Sequence, residues 1–452
     1  MRTDGNLQRR IGLRTATALV VGEVIAVGIF LTPAGMAKSL GSPLWLLVVW
    51  LVMGTMALCG ALCYGELAAR FPEAGGTYVY LREAYGRQVA FLYGWMSFLV
   101  MDPGLTAALA VGMASYVGYI FNLSHPGAQA VAAAAILSFA AVNIFGVRRG
   151  AWLLRWLTVI KIGLLLFIFV WAFGLGLGEW SNFTPFVAQR PQSAPLIGAL
   201  AGAMVAAFFS FGGWWDVSKL AGEVRDPART LPRALVYGVV IVTVVYVLTS
   251  AVFIYLVPLE RVVSGETFAA QAGEALFGRA GGQIFSGIVI VSVLGSLAAM
   301  TMSAPRVYYA MARDGLFFSS AAAIHPRFGT PARAIALQAA LACVLVMFGS
   351  FNDIVAYFIF VTVLFIALAV AALFVLRRGG QTTKVDYRAP AYPLTPAVFL
   401  VLVAVLLVML AANNPKQALL GVAVVASGVP VYYLLKKSLK SKSLKSKSTF
   451  QL

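Results

Sequence analysis

The chain is predicted to be an all-α membrane protein with about twelve transmembrane helices, and three observations carry that expectation. Of its 452 residues, 61% are hydrophobic and only 11% are charged, with a mean hydropathy of +0.88. Apolar runs are centred near residues 26, 55, 104, 137, 166, 209, 245, 295, 341, 365, 404 and 426. Each spans about 20 residues, enough to cross a hydrocarbon core about 30 Å thick at 1.5 Å of helical rise per residue. Finally, two of these runs carry glycines and ionisable residues at mid-depth, where a helix serving only as an anchor has no use for them. Loops are mostly short, so residues 1–452 read as a single transmembrane domain.

Span 1 contains Gly22-Glu23-Val24-Ile25-Ala26-Val27-Gly28. An ionised group in hydrocarbon costs at least about 2.5–3.5 kcal/mol, so Glu23 is expected to face protein or water. Ala26 lies eleven residues beyond Thr15, or roughly 16 Å along a helix, which is near the bilayer middle. A break there frees the carbonyls of Val24 and Ile25 and the amides of Val27, Gly28 and Ile29. The amides form the positive end of the outer half-helix and suit a carboxylate, while the carbonyls suit an ammonium. One broken helix therefore offers partners to both ends of a zwitterionic amino acid.

In span 2, Glu66 sits near a helix end and reads as a loop-organising or inner-gate residue, as does Glu223 after span 6. Asp102 precedes Pro103-Gly104 within span 3. Lys161 of span 5 lies six residues past Arg155, roughly 9 Å deeper. It either snorkels to the headgroups or sits desolvated in the protein, where losing and regaining a proton would suit a coupling group. Span 6 reads Phe208-Phe209-Ser210-Phe211-Gly212-Gly213-Trp214-Trp215-Asp216. A glycine pair among aromatics is either a close packing site or a second break. Two interrupted spans five apart fit a five-plus-five inverted repeat, at about residues 15–180 and 195–378, followed by two helices at about 395–436 and a basic tail at 436–452. Glu23, Asp102 and Asp216 have three readings: a structural partner, as in Glu23 or Asp216 pairing with Lys161 or Lys219, proton carriage, or recognition of a cationic side chain.

The formal net charge of +18 would point to nucleic acid in a soluble protein. Here the basic residues, among them Arg10, Arg148, Arg149, Arg155 and Arg225, collect in alternate loops. By the positive-inside rule this places both termini in the cytoplasm of a multi-pass protein of the cell membrane, with no nucleic-acid partner. The tail from Lys436 to Lys447 repeats Ser-Leu-Lys-Ser-Lys. It is expected to be disordered and solvated, with contact to anionic headgroups as the alternative. The first apolar stretch carries Glu23 and is too long for a cleaved signal.

Cys59, Cys63 and Cys343 fall in apolar runs, where free thiols act as small hydrophobes. His125 and His325 lie in loops without neighbouring ligands. No metal site, cofactor site, phosphate loop or nucleophile motif is found, so neither an enzyme nor a cofactor is expected. The lack of a polar selectivity loop argues against a channel.

Gly22-Glu23-Val24-Ile25-Ala26-Val27-Gly28-Ile29-Phe30-Leu31-Thr32-Pro33 resembles the span 1 signature of the amino acid–polyamine–organocation superfamily, with the L-type amino-acid transporters as the nearest branch. Gly60-Ala61-Leu62-Cys63-Tyr64-Gly65-Glu66-Leu67 and Pro72-Glu73-Ala74-Gly75-Gly76-Thr77-Tyr78 resemble that family's span 2 and first inner loop. Phe211-Gly212-Gly213-Trp214 with Glu223 and Asp226-Pro227, Ala312-Arg313-Asp314-Gly315, and His325-Pro326-Arg327 extend the match over roughly residues 15–340.

The resemblance implies a LeuT-type fold, with discontinuous helices 1 and 6 and two peripheral helices. It also implies sodium-independent transport of L-amino acids by exchange or with protons, around a midplane site; a cationic amino acid or polyamine is the alternative substrate. Carried over by position, the substrate carboxylate would meet the backbone of Val27 and Gly28, and the α-ammonium the carbonyls of Val24, Phe209 and Gly212. The site as a whole would comprise Val24, Ile25, Ala26, Val27, Gly28, Phe209, Gly212 and Gly213. Phe209 would be the gate, Lys161 and Glu23 coupling groups, and Asp102 and Asp216 specificity residues. Two departures stand out: Ala26-Val27-Gly28 replaces the family's Gly-Ser-Gly, and Glu23 replaces a common neutral residue. Phe121-Asn122-Leu123-Ser124-His125 lacks the cysteine that bonds a heavy subunit in animal relatives, so no disulfide-linked partner is expected.

Overall fold

The computed structural model describes residues 7–191, 193–262, 267–348, 351–378 and 386–449. Seventeen α-helices run through them, and no strand forms among the described residues beyond an isolated bridge between Ile11 and Val224. In order they are α1 (Leu13–Val24), α2 (Gly28–Leu40), α3 (Pro43–Arg70), α4 (Thr77–Tyr85), α5 (Arg87–Met96), α6 (Asp102–Phe121), α7 (His125–Ile144), α8 (Val147–Gly174) and α9 (Leu196–Phe211). There follow α10 (Pro227–Leu256), α11 (Thr267–Phe277), α12 (Gly281–Ser303), α13 (Pro305–Arg313), α14 (Ala332–Phe348), α15 (Phe351–Arg378), α16 (Leu394–Asn413) and α17 (Pro415–Thr449).

Among the described residues, ten helical stretches are long and apolar enough to cross a membrane. The pair α1 and α2, bent by 44° at its break, makes an eleventh, and Ala332–Met347 is a shorter apolar helix. The chain is therefore a multi-pass membrane protein. Helix rather than strand follows from the environment, since only structures that satisfy their own backbone groups survive in hydrocarbon.

Three positions depart from plain helix, each for a local reason. Before Asp102 the chain forms a π-helical turn, Ser97–Met101. Pro103 supplies no N–H to the preceding turn, so the ladder there must adjust. Ile25–Val27 interrupts the first span and Gly212–Gly213 the sixth. The interrupted elements lie at the centre: α1 packs on α8, α10 and α12, and α2 packs on α9. The tail corrects an expectation. Helix α17 continues to Thr449, because leucine and lysine are good helix formers and no glycine or proline follows Pro430 to stop it.

Candidate functional site

The first break lies where the sequence places it, and its hydrogen bonds show what it leaves open. Ile25 adopts ψ 83° at the end of α1, and Ala26 N–H turns back to the carbonyl of Val24 at 2.8 Å. Among the described residues, the amides of Val27, Gly28 and Ile29 find no backbone acceptor, and the carbonyl of Ala26 receives no donor. Val24 is different. Its carbonyl also accepts the Tyr246 hydroxyl at 2.7 Å, and the same hydroxyl reaches the carbonyl of Ser210 at 2.6 Å. The expected ammonium contact at Val24 is thus already taken by Tyr246, a buried residue that nothing in its apolar run singles out.

The second break depends on Gly213. Its φ of 103° lies in the region that favours glycine, and a Cβ there would stand 2.9 Å from Cγ of Glu23. From Trp214 to Glu223 the chain is a 3₁₀ helix. Gly212 N–H bonds the carbonyl of Phe209 at 3.1 Å, while the carbonyl of Gly212 receives no donor among the described residues. Gly28 brings the two breaks together. A Cβ on it would lie 2.8 Å from Oγ of Ser210, and Thr32 Oγ1 stands 2.9 Å from the same oxygen.

Between the breaks lies a cavity of about 60 Å³, room for about two water molecules. Of the expected binding residues, Val24, Ala26, Gly28, Phe209, Gly212 and Gly213 line it, as do Glu23, Asp102 and Asp216. Ile25 and Val27, also buried, do not line it. Phe209 is half-buried on the wall.

One wall of the cavity is a buried charge cluster. Lys219 Nζ lies 2.9 Å from Asp102 Oδ1 and 2.9 Å from Asp216 Oδ1. Tyr308 donates to Asp102 Oδ2 at 3.1 Å. Glu23 neighbours Asp216 and accepts a long bond from Ser303 at 3.4 Å. Its other oxygen, Oε2, is buried with no hydrogen-bond partner among the described residues. Two carboxyls therefore share one ammonium, with the Glu23 carboxyl beside them. Uncompensated buried carboxylates are costly, so the cluster calls for protons or a further cation.

Lys161 stands apart from this cluster. Fully buried, its ammonium donates to the carbonyl of Gly22 at 2.9 Å, to the carbonyl of Ile25 and to Ser296 Oγ at 3.2 Å. Ser296 itself donates to Gly22 at 2.7 Å. These carbonyls belong to the C-terminal end of α1, the negative end of that half-helix. No carboxylate pairs with Lys161 among the described residues.

Further ion pairs join the helix ends of spans 2 and 6 to other segments. Glu66 receives Arg70, Arg377 and the amide of Ala389. Glu223 receives Arg306 at 2.7 Å through its side chain, and Arg10 and Ile11 through its carbonyl. Arg306 and Arg377 were not anticipated from the sequence, although an arginine at the end of a long apolar run is itself a signal.

The amino acid permease family model matches residues 11–434. The chain is 31% identical over 442 residues to the serine/threonine exchanger SteT of Bacillus subtilis, covering 96% of this chain and 98% of that protein. To the human large neutral amino acids transporter small subunit 2 it is 30% identical over 438 residues, 95% of this chain and 80% of the relative. To the mouse Asc-type amino acid transporter 1 it is 29% identical over 452 residues, with coverages of 95% and 81%.

Proposed function

The chain belongs to the amino acid permease family of the amino acid–polyamine–organocation superfamily, and from that premise we propose that it carries L-amino acids across the plasma membrane by alternating access. Sodium is not required, and the amino acid moves by exchange or with protons. One observation carries this reading: both breaks border one cavity and present unsatisfied backbone groups of opposite polarity. The amide of Gly28 on the cavity wall, with those of Val27 and Ile29 beside it at the same helix end, suits the substrate carboxylate, and the carbonyls of Ala26 and Gly212 suit its ammonium. Relatives named as amino acid transporters and an exchanger support it.

Lys161 Nζ on the carbonyls of Gly22 and Ile25 supports sodium independence, since it already occupies oxygens that could otherwise hold an ion. Coupling then rests on Lys161 and Glu23. The arginine-rich side faces the cytoplasm with both termini, and the two breaks belong to a LeuT-type five-plus-five repeat. Cys59, Cys63 and Cys343 all lie within helices α3 and α14, which supports function without a disulfide-linked heavy subunit.

A second reading, a cationic amino acid or polyamine as substrate, is favoured by the three carboxyls on the cavity wall. Uptake into proteoliposomes separates the two. With labelled neutral amino acids, arginine, lysine and putrescine tested in parallel, uptake of neutral amino acids supports the first reading. Uptake of the cations alone supports the second, and uptake of none contradicts both.

A further inference from the structure

A second cavity, of about 900 Å³, shares no lining residue with the first. Five arginines line it: Arg10, Arg148, Arg149, Arg155 and Arg225. No acidic residue lines it, and none of the five forms an ion pair among the described residues. The remaining wall is mostly apolar, from Val142 and Leu153. All five are exposed, and such a concentration of one sign attracts anions.

Two further features define what that anion is. Arg148 and Arg149 occupy the first turn of α8, the positive end of that helix, where basic side chains are electrostatically unfavourable without a negative ligand. On the same helix Trp152, 57% exposed, borders the cavity, and Trp156, 48% exposed, follows one turn deeper. Outward-facing tryptophans at the end of a spanning helix mark the headgroup level of the bilayer. The cavity therefore lies at the depth of lipid phosphates, with apolar residues beside its arginines.

We propose that this cavity is a binding site for the headgroup of an anionic phospholipid, with the phosphate held by guanidinium groups from three separate segments. Arg10 and Arg225 come from two segments tied to each other, since Arg225 N–H bonds the carbonyl of Ile11 at 2.8 Å and Arg10 N–H the carbonyl of Glu223 at 2.8 Å. Arg148, Arg149 and Arg155 come from α8. Guanidinium suits the task because its planar donor pairs match phosphate oxygens. A bound lipid would clamp the segment leading into α1 against α8.

The test uses the purified full-length chain in a nonionic detergent, with thermal unfolding followed as phosphatidylglycerol is titrated in. Two triple variants are compared with the native protein: Arg148→Gln/Arg149→Gln/Arg155→Gln in the cavity, and Arg87→Gln/Arg333→Gln/Arg378→Gln, which removes the same charge from exposed positions outside it. Phosphatidylglycerol should raise the midpoint of the native protein and the outer variant alike. In the cavity variant the half-saturating concentration should rise on the order of a hundredfold, at about fivefold per arginine. Arg155→Gln alone should show about a fivefold rise, which keeps the test decisive if the triple variant folds poorly. Equal responses of both triple variants, or an equal response to phosphatidylcholine, would overturn the site. An equal shift from inorganic phosphate at the same concentration would overturn the assignment to a lipid.

Discussion

The ammonium of Lys161 rests on the carbonyl of Gly22, 2.9 Å away, at the point where the first spanning helix stops. A buried amine with no carboxylate partner is tolerable there because helix-end carbonyls are otherwise unpaired and carry partial negative charge. The same arrangement makes the helix end sensitive to whether the amine holds its proton.

Lys161→Ala should leave substrate binding measurable while slowing transport or removing its dependence on pH. Lys161→Arg should not rescue it, since arginine stays charged throughout the accessible range. Uptake measured from about pH 5 to 8.5, around the range where buried amines are known to titrate, decides the matter. An unchanged profile in the alanine variant would make Lys161 structural and move the coupling role to Glu23 or Asp102.

Lys219→Met should destabilise the protein strongly, because Asp102 and Asp216 would lose the ammonium that each meets at 2.9 Å. Breaking a buried pair by removing one partner costs about 3–5 kcal/mol. The double variant Lys219→Met/Asp102→Asn should recover part of that loss in thermal unfolding. If the double variant were no more stable than the single, the two side chains would not be coupled.

Gly213→Ala should lower the unfolding midpoint, since a φ of 103° and a Cβ position 2.9 Å from Glu23 both oppose a side chain. Strain of this kind costs about 1–3 kcal/mol. Gly212, with φ −57°, should accept alanine at less cost. Equal midpoints for Gly213→Ala and the native protein would contradict the geometry of the second break.

Phe209→Ala should reduce transport far more than expression or stability, because Phe209 is half-buried on the cavity wall and closure over the substrate is what commits it. Phe209→Trp should retain more activity. A normal rate for the alanine variant at matched protein level would remove Phe209 from the mechanism.

Both helix breaks were legible in the sequence because each rests on something local: a glycine needing positive φ at Gly213, or a carboxylate and glycine inside an apolar run at Glu23 and Gly28. What those residues touch was not legible. Gly28 reads in the sequence as a backbone partner for a carboxylate, and its missing Cβ faces Ser210 on α9, a contact set by packing between distant segments. Tyr246 carries no mark in its own run, but the fold sets its hydroxyl between Val24 and Ser210. Lys219 was named only as one possible partner, and the triangle it forms with Asp102 and Asp216 depends on how span 3 meets span 6. Chemistry within one segment is readable from spacing; chemistry between segments waits on the tertiary contacts.

The central claim is that the open amides at Val27–Ile29 bind the carboxylate of an amino acid. It is tested most directly by competition in proteoliposomes. A transported labelled amino acid is challenged with its unlabelled free acid, its methyl ester and its decarboxylated amine. Helix-end amides favour an anion, so the free acid should compete fully and the ester and amine poorly. Equal competition by all three would contradict the account, because the recognised group could not then be the carboxylate.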